Sequence, residues 1–322
     1  MTKLTPRPER IGILLNPASG YVRRHLPSLR RRVAGIANAR VVEASSAEQI
    51  KGAVESLQLG PSDLLVVIGG DGTLQAALTA TLIQGPSATP YVLALPAGTT
   101  NMSARDLGIR VNPTVALQEL DNWLSGKTSA PAVRARAVLR VSDASLAPPQ
   151  FGMFFGAGAI ISGVRYFHSS VRPKGVRGAL GPSLAFVRML LSLLRRREHS
   201  LLPATSARLH LAAEPLLVPW LLILATTLDT LLLGSTPYWG GEKAPMHFTA
   251  IAHRAPCLLR SLVFLLRGKS TATMSNNPAY VSHNLSHTAI DDLTEYLLDG
   301  EIFSSHGQLQ LTATPAIRFI VL

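Results

Sequence analysis

The chain has 322 residues, of which 47% are hydrophobic and 16% charged, and its formal net charge is +12. That is apolar material enough for two domains with cores of their own, and it excludes a disordered or fibrous chain. One cysteine, Cys257, excludes an internal disulfide, and the opening MTKLTPRPER has no apolar stretch of a secretory signal, so an intracellular protein is expected.

The N-terminal third alternates short apolar runs with helix-like segments, the pattern of a parallel sheet with crossover helices. RIGILLN (Arg10–Asn16) reads as a strand, and a basic helix follows from Tyr21 to Val33. ARVVEA (Ala39–Ala44) is the next strand, and Ser45–Leu57 opens with capping residues and reads as a helix. DLLVVIGG gives a third strand, a helix runs from Thr73 to about Ile83, TPYVLALP gives a fourth strand, and Thr114–Leu124 is again helical.

After Lys127 the pattern changes. VRARAVLRVS and PQFGMFFGAGAII alternate or run apolar without helical spacers, so a mostly antiparallel region is expected from about Ala130. SLAFVRMLLSLLRRR and APCLLRSLVFLLRGK interrupt it as helices that end in positive charge. The most apolar stretch, Leu216–Gly234, is about one membrane span long but contains Pro219 and Asp229, so it reads as a buried strand and a loop.

Charge is uneven. No acid occurs from Ala144 to Arg197, and such a field attracts nucleic acid or an anionic membrane face. Interleaved aromatics and nucleic-acid motifs are missing, so no nucleic-acid partner is expected.

Three loops carry the chemistry. NPASG (Asn16–Gly20), GGDGT (Gly69–Thr73) and LPAGTTN (Leu95–Asn101) each follow a strand of the α/β half. In an open parallel sheet such loops gather on one edge, where backbone N–H groups and helix N-termini suit phosphate. Alone, GGDGT reads equally as a tight turn with aspartate as turn former. In a phosphate site, Asp71 becomes useful as a Mg²⁺ ligand or as acceptor of a hydroxyl proton.

Together with ARDLG (Ala104–Gly108) and LDGE (Leu298–Glu301), these motifs resemble, in order and spacing, the diacylglycerol kinase catalytic-domain family, which includes sphingosine and ceramide kinases and bacterial soluble lipid kinases. The resemblance implies an α/β fold: a Rossmann-like parallel-sheet ATP-binding domain over residues 1–129, which the strand 314–322 could complete, then a mostly antiparallel β-sandwich lipid-substrate domain over 130–313. It implies ATP and Mg²⁺, and transfer of the γ-phosphate to a lipid hydroxyl. Carried over by position, Asn16, Ser19, Gly20, Ser45, Gly69, Gly70, Gly72, Thr73, Gly98, Thr99 and Asn101 line the nucleotide. Asp71 is metal ligand or general base, and Glu301 faces it as a second carboxylate; alone, Asp299-Gly300 spells an exposed hairpin turn.

The chain departs from the family at Met102, where an aspartate is usual after the asparagine, and at Gly240–Phe248, where Glu242 stands without the usual aspartate-glycine pair. The expected partner is a lipid substrate at an anionic membrane surface, with peripheral attachment from the cytoplasmic side and a homodimer left open. Val187, Leu190, Leu191 and Leu194 on one helix, and Leu258, Leu259, Leu265 and Leu266 on another, read either as interfacial faces or as packed ones. His283 and His287 read as surface-loop residues, and Trp123, Trp220 and Trp239 as packing residues. The rival functions are an NAD kinase-like enzyme, which also uses GGDGT, and a non-catalytic nucleotide or lipid sensor.

Overall fold

The computed structural model describes residues 2–3, 7–143, 146–166, 204–211 and 214–322. The helix expected at Ser183–Arg197, with its face of Val187, Leu190, Leu191 and Leu194, lies outside the described residues. Two compact units are present: residues 1–138 with 315–322, and residues 139–314.

The first unit is built on a seven-stranded sheet. Strands and helices are numbered along the chain: β1 (Thr2–Lys3), β2 (Ile11–Leu15), α1 (Gly20–Ala34), β3 (Ala39–Glu43), α2 (Ala47–Leu57), β4 (Leu64–Gly69) and α3 (Asp71–Leu82). Then come β5 (Tyr91–Pro96), α4 (Met102–Asp106), α5 (Pro113–Leu124), β6 (Ala132–Arg136) and, at the far end of the chain, β18 (Ile317–Val321). The order across the sheet is β1-β6-β18-β5-β4-β2-β3. The pairs β3/β2, β2/β4, β4/β5 and β5/β18 are parallel, and β18/β6 and β6/β1 antiparallel.

Every residue of β2 and β4 is buried, as central parallel strands covered on both faces require. Ile13, Leu15, Val66, Ile68, Leu93 and Leu95 pack in one cluster with Val22, Leu29 and Val33 of α1 and with Ala116, Leu120 and Trp123 of α5. The opposite face takes α2: a Cβ at Gly12 would lie 2.7 Å from Leu57 Cδ1, so the strand needs glycine there to let the helix approach. Helix α2 starts one residue later than its first capping signal, because Ser46 and Gln49 form the capping box. Helix α1 bends at His25, two residues before Pro27, whose ring and missing N–H break the ladder.

The second unit is an eleven-stranded antiparallel sheet. Its elements are β7 (Leu139–Asp143), β8 (Leu146–Gly152), β9 (Phe154–Gly158), α6 (Ala159–Tyr166), β10 (Thr205–His210), β11 (Leu216–Thr226) and β12 (Met246–Ala252). They continue with α7 (Leu258–Leu266), α8 (Ala272–Ser275), β13 (Tyr280–Leu285), β14 (His287–Asp291), β15 (Glu295–Leu298), β16 (Glu301–Ser304) and β17 (Leu309–Ala313). Strand β11 branches the sheet: its first half bonds β10, and its second half bonds β9 and β12. Inward residues of these strands, with Trp220, Phe155, Phe248 and Tyr296 the largest, form one cluster.

Strand β11 accounts for the most apolar stretch of the chain. Pro219 precedes the start of β12 pairing at Trp220, where a missing N–H removes no bond to β12, and Asp229 lies beyond the strand's end, exposed. Among the described residues no helix is long and apolar enough to cross a membrane.

Several expectations are corrected. The run Val133–Ser142 is two strands, β6 in the first unit's sheet and β7 in the second's. The run that ends at Ile161 turns helical at Ala159. His283 and His287 lie in strands β13 and β14 and not in a loop, and the described residues hold no cluster of metal-ligating side chains. Of the four leucines read either way on α7, Leu258, Leu265 and Leu266 pack with Ile251, Met274 and Tyr280, the packed reading, and Leu259 is half-buried outside that cluster. Trp123 and Trp220 are buried and Trp239 packs at the edge of a cluster, as expected.

Candidate active site

Strands β5, β4 and β2 are neighbours and run parallel, so the loops that leave their C-terminal ends meet on one edge of the sheet. Backbone bonds lock the three loops together. Asn16 N–H donates to the Ile68 carbonyl (3.1 Å), Ala97 N–H to the Gly69 carbonyl (2.8 Å), and Tyr21 N–H to the Ala97 carbonyl (3.0 Å). The side chains continue the pattern: buried Asn16 donates through Nδ2 to Thr73 Oγ1 at 2.8 Å and accepts from Ala18 N–H at 2.9 Å. Asn16 and Thr73 thereby tie NPASG to GGDGT.

Gly70 and Gly98 make the closest approach. A Cβ on Gly98 would lie 2.5 Å from Gly70 Cα, and one on Gly70 would lie 3.1 Å from Gly98 Cα. Loop-on-loop packing requires glycine at 98, and at 70 it leaves only a tight fit for any larger residue. Gly20 is different, since nothing lies within 4 Å of an added Cβ there. The space beside the first turn of α1 is open.

Two helix N-termini converge on this edge without side-chain caps. Ser19 stands at the N-cap of α1 and Gly70 at that of α3, and neither cap position supplies a side-chain hydrogen bond. First-turn N–H groups with no side-chain partner form the arrangement that binds anions. Thr99 is exposed on the third loop, which Asn101 closes by accepting from Gly98 N–H at 2.7 Å and donating to the Gly98 carbonyl at 3.1 Å. Asn101 adopts the left-handed conformation (φ 50°), which its short polar side chain tolerates.

Asp71 opens α3, two residues earlier than the pattern of apolar residues indicates. Its carboxylate accepts from two backbone donors at the start of α4: Met102 N–H to Oδ2 at 3.1 Å and Ser103 N–H to Oδ1 at 3.0 Å. The residue is half-buried, and both carboxylate oxygens are held by backbone donors. Burial pushes its pKa up, and the N–H bonds from Ser103 and Met102 hold it down in part, with burial the larger effect. The sequence reading missed α4 and hence these two donors. The departure at Met102 removes a side-chain carboxylate, while the backbone there still serves Asp71.

Ser45 is exposed after β3, one strand further out on the same edge, and its N–H is taken by Gln49 Oε1 at 3.1 Å. Glu301 belongs to the second unit, where it is exposed at the start of β16 and pairs with Leu298 across a tight turn. The turn residue Asp299, expected to be exposed, is 3% exposed, and its carboxylate accepts from Met153 N–H (2.8 Å) and Phe154 N–H (2.9 Å). Glu242, the acid of the divergent segment, accepts from Asn284 N–H at 2.8 Å and from His283 Nδ1 at 2.6 Å. Those bonds, the backbone one first, lower its pKa to about 2.

Residues 10–130 match the family model described as the diacylglycerol kinase catalytic domain. Among solved structures, the chain is similar to a candidate diacylglycerol kinase from Bacillus anthracis str. Sterne, with TM-score 0.66, 15% identity and coverage of 98% of this chain and 97% of that one. A second structure, a diacylglycerol kinase from the same organism, gives TM-score 0.60 at 14% identity, with the same coverage. At such identities the likeness is one of fold. No curated protein matches the chain.

Proposed function

Starting from the match of residues 10–130 to the diacylglycerol kinase catalytic-domain model, we propose that the protein is an ATP-dependent lipid kinase that transfers the γ-phosphate to a lipid hydroxyl. One observation carries the reading: three loops after adjacent parallel strands are locked to one another, two uncapped helix N-termini point to the same edge, and a half-buried carboxylate held by two backbone donors stands among them. This set suits a triphosphate and a base beside it.

The uncapped first-turn N–H groups of α3, and those of α1 apart from the Tyr21 N–H already given to Ala97, bind phosphate oxygens, and the open space at Gly20 leaves room for them. Thr99 adds a hydroxyl donor. Asn16 and Thr73 hold the loops in register, and Thr73, the acceptor in that bond, keeps its own O–H to donate. Asp71, with its pKa raised by burial, takes the proton of the attacking lipid hydroxyl, an alcohol too weakly acidic to ionise alone. Glu301 is assigned the second carboxylate. A Mg²⁺ ion, held by one carboxylate and the substrate phosphates, would neutralise charge on the transferred group. Asp71 is the carboxylate among the three loops that would hold it, oriented by the Met102 and Ser103 N–H groups.

The test is incubation of the purified protein with labelled ATP, Mg²⁺ and an extracted lipid mixture. Label in a chloroform-soluble phospholipid supports the reading; label transferred to NAD⁺ supports the NAD kinase alternative instead. Nucleotide binding with no transfer to either identifies a sensor.

A further inference from the structure

We infer that the outer face of α7, with the tip of the loop tied to its C-terminal end, is a docking surface for an anionic membrane; the inference deepens the lipid-kinase reading by naming where the enzyme meets its acceptor. Helix α7 is apolar on two sides. Ser261 and Leu265 are buried, and Leu258 and Leu266 pack with Ile251, Met274 and Tyr280. That face satisfies the fold.

The other face does not turn inward. Arg260, Val263, Phe264 and Arg267 follow the spacing that lines one side of a helix, and Val263 and Phe264 are 52% and 47% exposed. Leu233, 65% exposed, stands at the tip of a loop closed by Leu231 N–H to the Ser235 carbonyl and tied to the helix end by Thr236 N–H to the Leu266 carbonyl. Leu233 also holds φ 59°, a left-handed conformation costly for a leucine. An exposed leucine in a strained conformation, on a loop tied to a helix that presents a phenylalanine, is surplus to folding.

Charge selects the occupant. Arg260 and Arg267 share the face, Arg254 and Lys269 flank the helix in sequence, and none of the four forms an ion pair among the described residues. From Lys243 to Ile290 the sequence contains no acid; the loop itself brings one, Asp229. Large apolar side chains beside unpaired cations are the composition of an interfacial helix, whose apolar residues enter the acyl boundary while its cations stay among anionic headgroups. A protein partner would have to bring an acid to each of these cations, whereas an anionic bilayer offers headgroup charge all along its surface.

Flotation of the full chain with phosphatidylcholine vesicles, with and without phosphatidylglycerol, tests this. The expected result is partition onto the anionic vesicles that weakens with salt. The double variant Val263→Ser/Phe264→Ser should lower partition about tenfold or more, and Arg260→Gln or Arg267→Gln about fivefold each on anionic vesicles only. These positions are exposed, so unfolding midpoints should not move. Partition of the double variant equal to that of the parent overturns the proposal. So does a parent dimer in sedimentation velocity that the double variant dissolves while vesicle binding persists, because the face then serves self-association. Phosphorylation of a dispersed short-chain acceptor, which should survive all these substitutions, separates the two readings: its absence in the parent rejects the kinase and leaves the vesicle result standing on its own.

Discussion

The Ser103 amide donates to Asp71 Oδ1 at 3.0 Å, from a helix thirty-two residues further along the chain. With Met102 N–H on the other oxygen, it holds the carboxylate in one orientation. Asp71→Asn places an amide NH₂ against one of these donors, so it removes both the base and a bond. Phosphoryl transfer should fall by about 10²–10⁴, with nucleotide affinity changed far less. Because burial raises the pKa of Asp71, the acid limb of the kcat/KM profile should lie above the ordinary aspartate value of about 3.9, with activity rising as the carboxyl loses its proton.

Gly98 and Gly20 separate packing from ligand space. Gly98→Ala puts a Cβ 2.5 Å from Gly70 Cα, a backbone atom that cannot swing away. The loops must part, so thermal or urea unfolding should show a loss of about 1–3 kcal/mol. Gly20→Ala meets nothing within 4 Å and sits at the start of a helix. Stability should hold or rise slightly, while KM for ATP should increase about tenfold if phosphate occupies that space. An unchanged KM in Gly20→Ala would remove α1 from the nucleotide site.

The parallel half was legible because its signals are local: β2 and β4 are short apolar runs, each ended by a glycine-bearing or Asn-Pro turn, and α2 carries both capping partners. The convergence of the three loops followed from strand order alone. What escaped had no local period. Helix α4 is five residues long and starts at a left-handed asparagine, so no amphipathic pattern marks it. Ala159–Tyr166 continues an apolar run, and a short apolar segment reads alike as strand or helix. The inward face of α7 and the burial of Asp299 are tertiary facts, set by partners far along the chain.

Glu242 gives a pH signature. Its carboxylate accepts from Asn284 N–H and His283, and its pKa falls from 4.5 to about 2. A lowered carboxylate pKa contributes stability above the unfolded value, and that contribution is lost as pH falls from about 4.5 towards 2. With 47% of the side chain exposed, solvent screening holds the gain to about 1 kcal/mol or less. The unfolding free energies of parent and Glu242→Gln should therefore differ at neutral pH, converge across that acid window, and differ less in high salt.

Asp299 and Glu301 stand two residues apart and should respond in opposite ways. Leu298 pairs with Glu301, and Asp299 (φ 48°) and Gly300 (φ 95°) make the left-handed pair of a two-residue hairpin turn. Asparagine tolerates that conformation, so Asp299→Asn tests the carboxylate and not the turn. It turns an NH₂ towards Met153 N–H or Phe154 N–H in a buried place, and the cost should be about 1–3 kcal/mol in equilibrium unfolding. Glu301 is exposed, and Glu301→Gln should leave stability within about 0.5 kcal/mol. If Glu301 is the second carboxylate of the transfer step, the same substitution should lower kcat about a hundredfold with KM for ATP little changed. Normal turnover in Glu301→Gln, beside weakened folding in Asp299→Asn, would reduce LDGE to a structural turn.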